Sequence, residues 1–233
     1  MASWERFLPD FQVKIWNLEM CQPYFNDFFS QAIDKRMYAF ASDYVRFKVI
    51  QEFGGIYMDL DMLLIRAIPE SIMNEKFFIG LQDGSNLGFG IFGSIPYHPV
   101  LEPIEKKHYS GEFNYFNPPV LPKILSNYFL DFHAQNNSSM LILPPDVFYP
   151  LPLAHKTDPI DSHTTDNTIA IHLWDYSWSS IYKKQNVLKL WYVLITDWLN
   201  GKYSFRFTTY HFIRLLRDGL RYRTKKLLHL YNT

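Results

Sequence analysis

Residues Phe11-Gln12-Val13-Lys14-Ile15-Trp16 alternate apolar and polar side chains after Pro9-Asp10, the period-two pattern of a half-buried strand. From Asp27 to Phe53 the apolar positions shift to helical spacing, through Phe40, Tyr44, Phe47 and Ile50, and Gly54-Gly55 stands where a helix is expected to end. The spacing predicts one long helix, broken near Asp34. Ile56 to Ile65 is an apolar run holding Asp59 and Asp61, read as a buried strand, and Pro69 closes the turn that follows. Phe77–Leu81 and Gly88–Gly93 read as strands around the polar loop Gln82-Asp83-Gly84-Ser85-Asn86, and Val120 to Phe132 as a helix. Prolines remove ladder donors, so the Pro-rich stretch from Leu143 to Pro152 is expected to be an irregular or extended surface run. Thr168 to Trp174 alternates as a strand does and delivers His172, Trp174 and Asp175 near its end. Val187 to Leu199 is the most apolar long run, interrupted by Lys189 and Asp197, and reads as a core-facing or interfacial helix. Strands interleaved with helices make an α/β fold.

Composition refines this picture. A chain of 233 residues suits one α/β domain with an appendage, here residues 1–200 and 201–233. The 18% aromatic content suggests stacking surfaces as well as core packing, the commoner use. Net charge is zero, which argues against wholesale nucleic-acid binding, yet the charge is unevenly placed. Residues 202–233 hold eight Lys or Arg against Asp218, a net +7, so residues 1–201 carry −7. Within that tail Ile213, Leu216, Leu220, Leu227 and Tyr231 fall at near-helical spacing among Arg214, Arg217, Arg221, Arg223, Lys225 and Lys226. A basic amphipathic helix of this kind lies on an anionic membrane surface or docks on the acidic body. The single Cys21 excludes an internal disulfide and a Cys-rich zinc site, which makes a cytoplasmic location the default. No run of some 18 uncharged apolar residues and no signal peptide is present, so the expectation is a soluble protein or one peripheral on the inner face of a membrane.

Candidate chemistry centres on Asp59-Leu60-Asp61. Carboxylates at i and i+2 of a strand point to one face and can converge on one cation. Two hard oxygen ligands without Cys suit Mn²⁺ or Mg²⁺, whose remaining positions go to water and substrate phosphates. A bare Asp-x-Asp is also the pattern of a solvated turn, and Arg66 is an alternative, structural partner for the pair.

What precedes the pair is more specific. Ala41-Ser42-Asp43-Tyr44-Val45-Arg46, followed by Glu52-Phe53-Gly54-Gly55-Ile56-Tyr57-Met58-Asp59-Leu60-Asp61, resembles the glycosyltransferase sugar-binding region containing a DXD motif. This is the glycosyltransferase family 32 group, related to the glucosylating clostridial toxins. The resemblance implies a GT-A fold, a Rossmann-like mixed sheet flanked by helices, and sugar transfer with retention. It implies that Asp59 and Asp61 hold Mn²⁺ or Mg²⁺ against the diphosphate of a nucleotide-diphosphate sugar, and that Asp43, Arg46 and Tyr57 bind the donor. Without it, Asp43 and Arg46 read as an intrahelical ion pair at i, i+3. The run His172-Leu173-Trp174-Asp175-Tyr176-Ser177-Trp178 resembles the family's late His-x-Trp…Ser-Trp element. It implies His172 as a further metal ligand and Trp174, Ser177 and Trp178 as donor contacts. A His beside Trp is otherwise a packed residue. Asp83, with Ser85 and Asn86, occupies a loop where GT-A enzymes place reaction-centre groups, which makes Asp83 and Asn86 catalytic candidates; turn chemistry explains the same residues equally well.

The chain departs from that pattern at its start. Family members begin with an Ile-Pro-Lys-Ile-Ile-His-like first strand, whereas Ser3-Trp4 and Leu8-Pro9 match the later Ser-Trp…Leu-Pro segment. The expectation is a metal-dependent retaining glycosyltransferase acting on a glycan or lipid-linked acceptor, in cell-surface or capsular polysaccharide synthesis. The alternatives are an inactive sugar-nucleotide-binding remnant and a metal-dependent nucleotidyltransferase.

Overall fold

The computed structural model describes residues 1–116, 118–136, 139–175, 187–201, 204–213 and 216. They fall into two compact units, residues 1–175 and 176–233.

In the first unit the expected long helix is two. Asn26 caps α2 (Asp27–Asp34), its side chain accepting from the Phe29 N–H at 2.8 Å. The chain breaks at Arg36, whose φ is +58°, and resumes as α3 (Tyr38–Phe53), as the break near Asp34 anticipates. Gly54 ends α3 with φ +66°; a Cβ there would stand 2.7 Å from Pro96 Cδ and 2.9 Å from the Ser94 carbonyl, so only glycine fits.

A mixed sheet follows, in the order β1-β4-β3-β5, from β1 (Gly55–Met58), β3 (Phe77–Leu81), β4 (Leu87–Ser94) and β5 (Leu141–Leu143). β4 pairs antiparallel with both β1 and β3, and β3 pairs parallel with β5. Helices α3 and α5 (Leu121–Gln135) pack on β4, and α6 (Pro145–Phe148) on β3. The unit also holds the short helices α1 (Ala2–Phe7) and α4 (Glu70–Met73). The α/β class with a mixed, helix-flanked sheet is as the sequence implies. Aromatic rings pack much of the core: Phe92 stacks on Phe47 at 5.6 Å, Tyr57 at 5.5 Å and Phe77 at 5.9 Å, and Phe129 meets Phe89 edge-on at 5.4 Å.

Three expectations are corrected. The segment 11–16 is not a strand: no neighbouring strand offers it a ladder among the described residues, and Phe11, Val13 and Ile15 are exposed. Alternation alone cannot make a strand without a partner edge. The Pro-rich stretch is not a surface run, because Phe148, Tyr149 and Leu151 are almost wholly buried and Pro145–Phe148 is helical. Proline at the first helical turn gives up an N–H that would be unpaired there anyway.

The third correction concerns the acidic pair. Ile56 to Ile65 is two strands in two sheets: β1 ends at Met58, and β2 (Met62–Leu64) pairs antiparallel with β6 (Ala170–His172). Asp59 extends the first ladder by one bond, its N–H reaching the Gly90 carbonyl at 2.7 Å, and the Met62 N–H closes a turn on the Asp59 carbonyl at 2.9 Å. Asp59-Leu60-Asp61 is therefore the turn by which the chain passes from one sheet to the other, with Leu60 77% exposed at its tip.

The second unit contains α7 (Val187–Leu199) and a helical segment at residues 205–213, joined through Gly201 at φ +74°. Trp191 stacks on Phe212 at 5.0 Å and Trp198 meets Phe205 at 6.0 Å, so the two segments pack against each other. The rest of the predicted basic helix, beyond Leu216, lies outside the described residues.

Candidate metal and donor-binding site

The register of β2 against β6 places His172 opposite Met62, beside the turn, and the Leu173 N–H reaches the Asp61 carbonyl at 3.0 Å. One ligand atom each of Asp59, Asp61 and His172 lies within 4.8 Å of the other two. The sequence-predicted ligands are thus brought together, by the crossing between sheets rather than by strand alternation.

Each carboxylate is held differently. His172 Nε2 stands 3.1 Å from Asp61 Oδ1, and the Asp175 N–H donates to Asp61 Oδ2 at 2.8 Å. Burial alone would raise the Asp61 carboxyl, but these hydrogen bonds and the His172 charge hold it below the usual carboxylate range. Asp59 Oδ1 accepts from the Tyr57 hydroxyl at 2.6 Å and lies 3.3 Å from Arg46 Nη2. Its other oxygen, Oδ2, lies over Gly90, where an added Cβ would come within 3.2 Å of it.

The cation behind the pair is Arg46, not Arg66, which pairs instead with Asp166. The Arg46 side chain is 6% exposed and runs from the buried face of α3 under the turn. Its Nη2 contacts Asp43 Oδ1 at 2.6 Å, its Nη1 donates to the Phe89 carbonyl at 2.8 Å, and its guanidinium carbon stands 4.5 Å from the Tyr57 ring centroid. Burial, aided by the nearby Asp59 charge and opposed by Arg46, raises the Asp43 carboxyl to about 7. Burial opposes the Arg46 charge, yet Asp59, Tyr57 and Asp43 together hold its proton more tightly than usual. Three residues implied as donor contacts therefore meet each other: Asp43, Arg46 and Tyr57 form a buried network that fixes Asp59.

Trp174 is likewise 4% exposed, with Nε1 donating to the Leu151 carbonyl at 2.7 Å and its ring 4.1 Å from that of His172. It reaches the site through the His172 ring. Ser177 and Trp178 lie outside the described residues. Asp83 and Asn86 are not drawn into the cluster. Burial raises the Asp83 carboxyl, but its Oδ1 accepts from the Ser85 and Asn86 N–H groups at 2.8 Å each, and these with the Asn86 side chain together hold it below the usual carboxylate range. That is the turn chemistry of the β3–β4 hairpin.

Two contributors were not anticipated. The Tyr149 hydroxyl accepts from the Gly90 and Ile91 N–H groups at 2.9 and 3.1 Å, and its ring meets His172 edge-on at 5.8 Å. The signal was the alternation Gly88-x-Gly90 within a strand, which marks a close approach: a Cβ on Gly88 would lie 2.2 Å from Tyr149 Cζ. Trp4 is the other, its Nε1 donating to the Met62 carbonyl at 2.8 Å just past the turn.

Two carboxylates and an imidazole converging at this distance, only one of them neutralised by Arg46, fit a hard or borderline divalent cation with open positions.

Residues 1–78 match the family described as glycosyltransferase sugar-binding region containing DXD motif. It is similar to a human alpha-1,4-N-acetylglucosaminyltransferase, at 31% identity over 149 residues that cover 58% of this chain and 42% of that protein. Among solved structures it is similar to the PaToxG glycosyltransferase, with a TM-score of 0.36 and 20% identity over 52% of this chain and 44% of that one. The chain thus spans about two fifths of the length of these relatives. No helix among the described residues is long and apolar enough to cross a membrane.

Proposed function

We propose that this chain binds a nucleotide-diphosphate sugar at the Asp59–Asp61–His172 centre and transfers the sugar, with retention, to a hydroxyl of a glycan or lipid-linked acceptor. The observation that carries the reading is the convergence of these three side chains at the turn between the two sheets, with Asp59 and Asp61 inside the DXD family match and the buried Arg46 behind them.

Asp59, Asp61 and His172 would hold Mn²⁺ or Mg²⁺, which when bound supplies charge neutralisation to a diphosphate leaving group. The chain's own contribution is preorganisation. Arg46 and Tyr57 hold Asp59 Oδ1, so its second oxygen keeps one direction. His172 and the Asp175 N–H hold both oxygens of Asp61 and keep it ionised. The Trp174 and Tyr149 rings fix the plane of the His172 imidazole. Groups fixed before the reaction need no reorganisation as charge develops.

The human relative's name specifies an α-1,4 linkage and N-acetylglucosamine; an α-linked product is what retention gives from an α-linked donor. N-acetylglucosamine therefore heads the donors to test. The basic residues after Lys202 support an anionic membrane surface as the place where a lipid-linked acceptor is met.

The test is calorimetric titration of uridine- and guanosine-diphosphate sugars in the presence of Mn²⁺, with wild type against Asp61→Ala. A donor that binds wild type and loses at least tenfold affinity in the variant is expected; equal binding by both proteins overturns the site. Release of a nucleoside diphosphate separates transfer from nucleotidyl transfer, and proton NMR of the product's anomeric centre reads retention.

A further inference from the structure

The loop between α6 and β6 gathers a second set of ligand-bearing side chains. Pro152 opens a 3-10 turn at Leu153–His155 and Pro159 another at Ile160–Ser162, with Asp158 between them. Asp158 Oδ2 lies 3.1 Å from His155 Nδ1 and 3.1 Å from His163 Nε2. The two imidazole centroids are 5.7 Å apart, and one ligand atom of each residue lies within 4.8 Å of the others.

We propose that His155, Asp158 and His163 form a second metal site, selective for Zn²⁺ or a similar nitrogen-preferring transition ion and separate from the Asp59–Asp61–His172 centre. Ligands bonded at about 2.0–2.1 Å around a tetrahedral ion stand roughly 3.3 Å apart. Both nitrogen-to-oxygen distances are already close to that, so small rotations of two partly exposed rings complete the geometry. The donor set differs from the first centre in kind. Two imidazoles and one carboxylate favour Zn²⁺, whereas two carboxylates and one imidazole suit Mn²⁺ or Mg²⁺. Three protein ligands leave a fourth position for water.

The site's consequence is mechanical. The loop it would close feeds β6, which carries His172. Lys156 Nζ reaches the Trp174 carbonyl at 3.4 Å, and beyond His163 the turn Thr165–Thr168 is clasped to Asp146 through the Thr168 and Asn167 side chains. An ion joining residues 155, 158 and 163 would cross-link the two 3-10 turns and stiffen the approach to that strand.

The side chains of His155, Asp158 and His163 are 58%, 40% and 23% exposed, so an ion enters from solvent and substitution removes little core packing. The experiment titrates the full chain, without a polyhistidine tag or nucleotide sugar, with Zn²⁺ by calorimetry and with Co²⁺ by visible absorption. It compares wild type, His155→Ala/His163→Ala and Asp61→Asn/His172→Ala. The expected result is a Zn²⁺ site and a Co²⁺ absorption band that survive Asp61→Asn/His172→Ala and weaken at least tenfold in His155→Ala/His163→Ala, with Zn²⁺ slowing hydrogen exchange over residues 153–163. Zn²⁺ binding unchanged in His155→Ala/His163→Ala, or abolished by Asp61→Asn/His172→Ala alone, overturns the proposal. Neither result bears on donor binding at the first centre, which is read with Mn²⁺.

Discussion

Arg46 Nη2 stands 2.6 Å from Asp43 Oδ1 and 3.3 Å from Asp59 Oδ1, so one buried guanidinium nitrogen ties helix α3 to the turn that carries the acidic pair. Removing the cation strands carboxylates in a buried setting. Arg46→Met is expected to destabilise the fold by about 3–5 kcal/mol, read by urea unfolding. Arg46→Lys keeps the charge without the planar fork, and is expected to fold while losing Mn²⁺ affinity, read by calorimetry. Wild-type Mn²⁺ affinity in Arg46→Lys would show that the fork does not position Asp59.

Asp61→Asn preserves shape and removes the charge that His172 and the Asp175 N–H stabilise. Mn²⁺ affinity is expected to fall at least tenfold, with a thermal midpoint at neutral pH within a few degrees of wild type. A collapse of the midpoint would instead make Asp61 a structural residue of the sheet crossing.

Gly88 and Gly90 test the Tyr149 contact. Alanine at 88 would drive its Cβ to 2.2 Å from the Tyr149 ring, and overpacking of this kind costs about 1–3 kcal/mol. Alanine at 90 meets Asp59 Oδ2 at a milder 3.2 Å. Gly88→Ala is therefore expected to lower thermal stability more, and Gly90→Ala to lower Mn²⁺ affinity more for its loss of stability. Parallel thermal melts and Mn²⁺ titrations read both.

Asp43 gives a signed pH dependence. Its folded pKa of about 7 lies above the ordinary 3.8 because burial disfavours the charge. The folded state therefore holds more protons than the unfolded state between those values. Its contribution to stability is full below pH 3.8 and is lost as pH rises to about 7. Asp43→Asn is expected to flatten the fall in thermal midpoint between about pH 4 and 7 when both proteins are melted in a chelator. Asp61, with its lowered pKa, acts in the other direction: its contribution is present above 3.8 and disappears as pH falls through its folded value. An unchanged slope in Asp43→Asn would place the pH dependence elsewhere.

Local signals carried much of the fold. The glycines after Phe53, the strands at Phe77–Leu81 and Gly88–Gly93, and the helix after Val120 depend on short-range backbone preferences and emerge as read. Asp59, Asp61 and His172 were also picked out together, by residue type and family resemblance, and the fold does bring them within 4.8 Å of one another. The Phe11–Trp16 strand failed because a strand is a relation between two segments, and a sequence window contains one.

What the sequence presented by itself was a candidate for metal and diphosphate chemistry: two carboxylates behind a Gly-Gly helix stop, with an Asp and an Arg on the helix before it. Tertiary structure alone decided how those residues divide the work. It moved the acidic pair from a strand to the crossing between two sheets and made Arg46 its buried counter-ion. It also brought Tyr149 beneath Gly88 and Gly90 and gathered His155, Asp158 and His163 on one loop. The reason is that side-chain roles here follow from distances between segments up to about a hundred residues apart, which packing sets and local sequence preference does not.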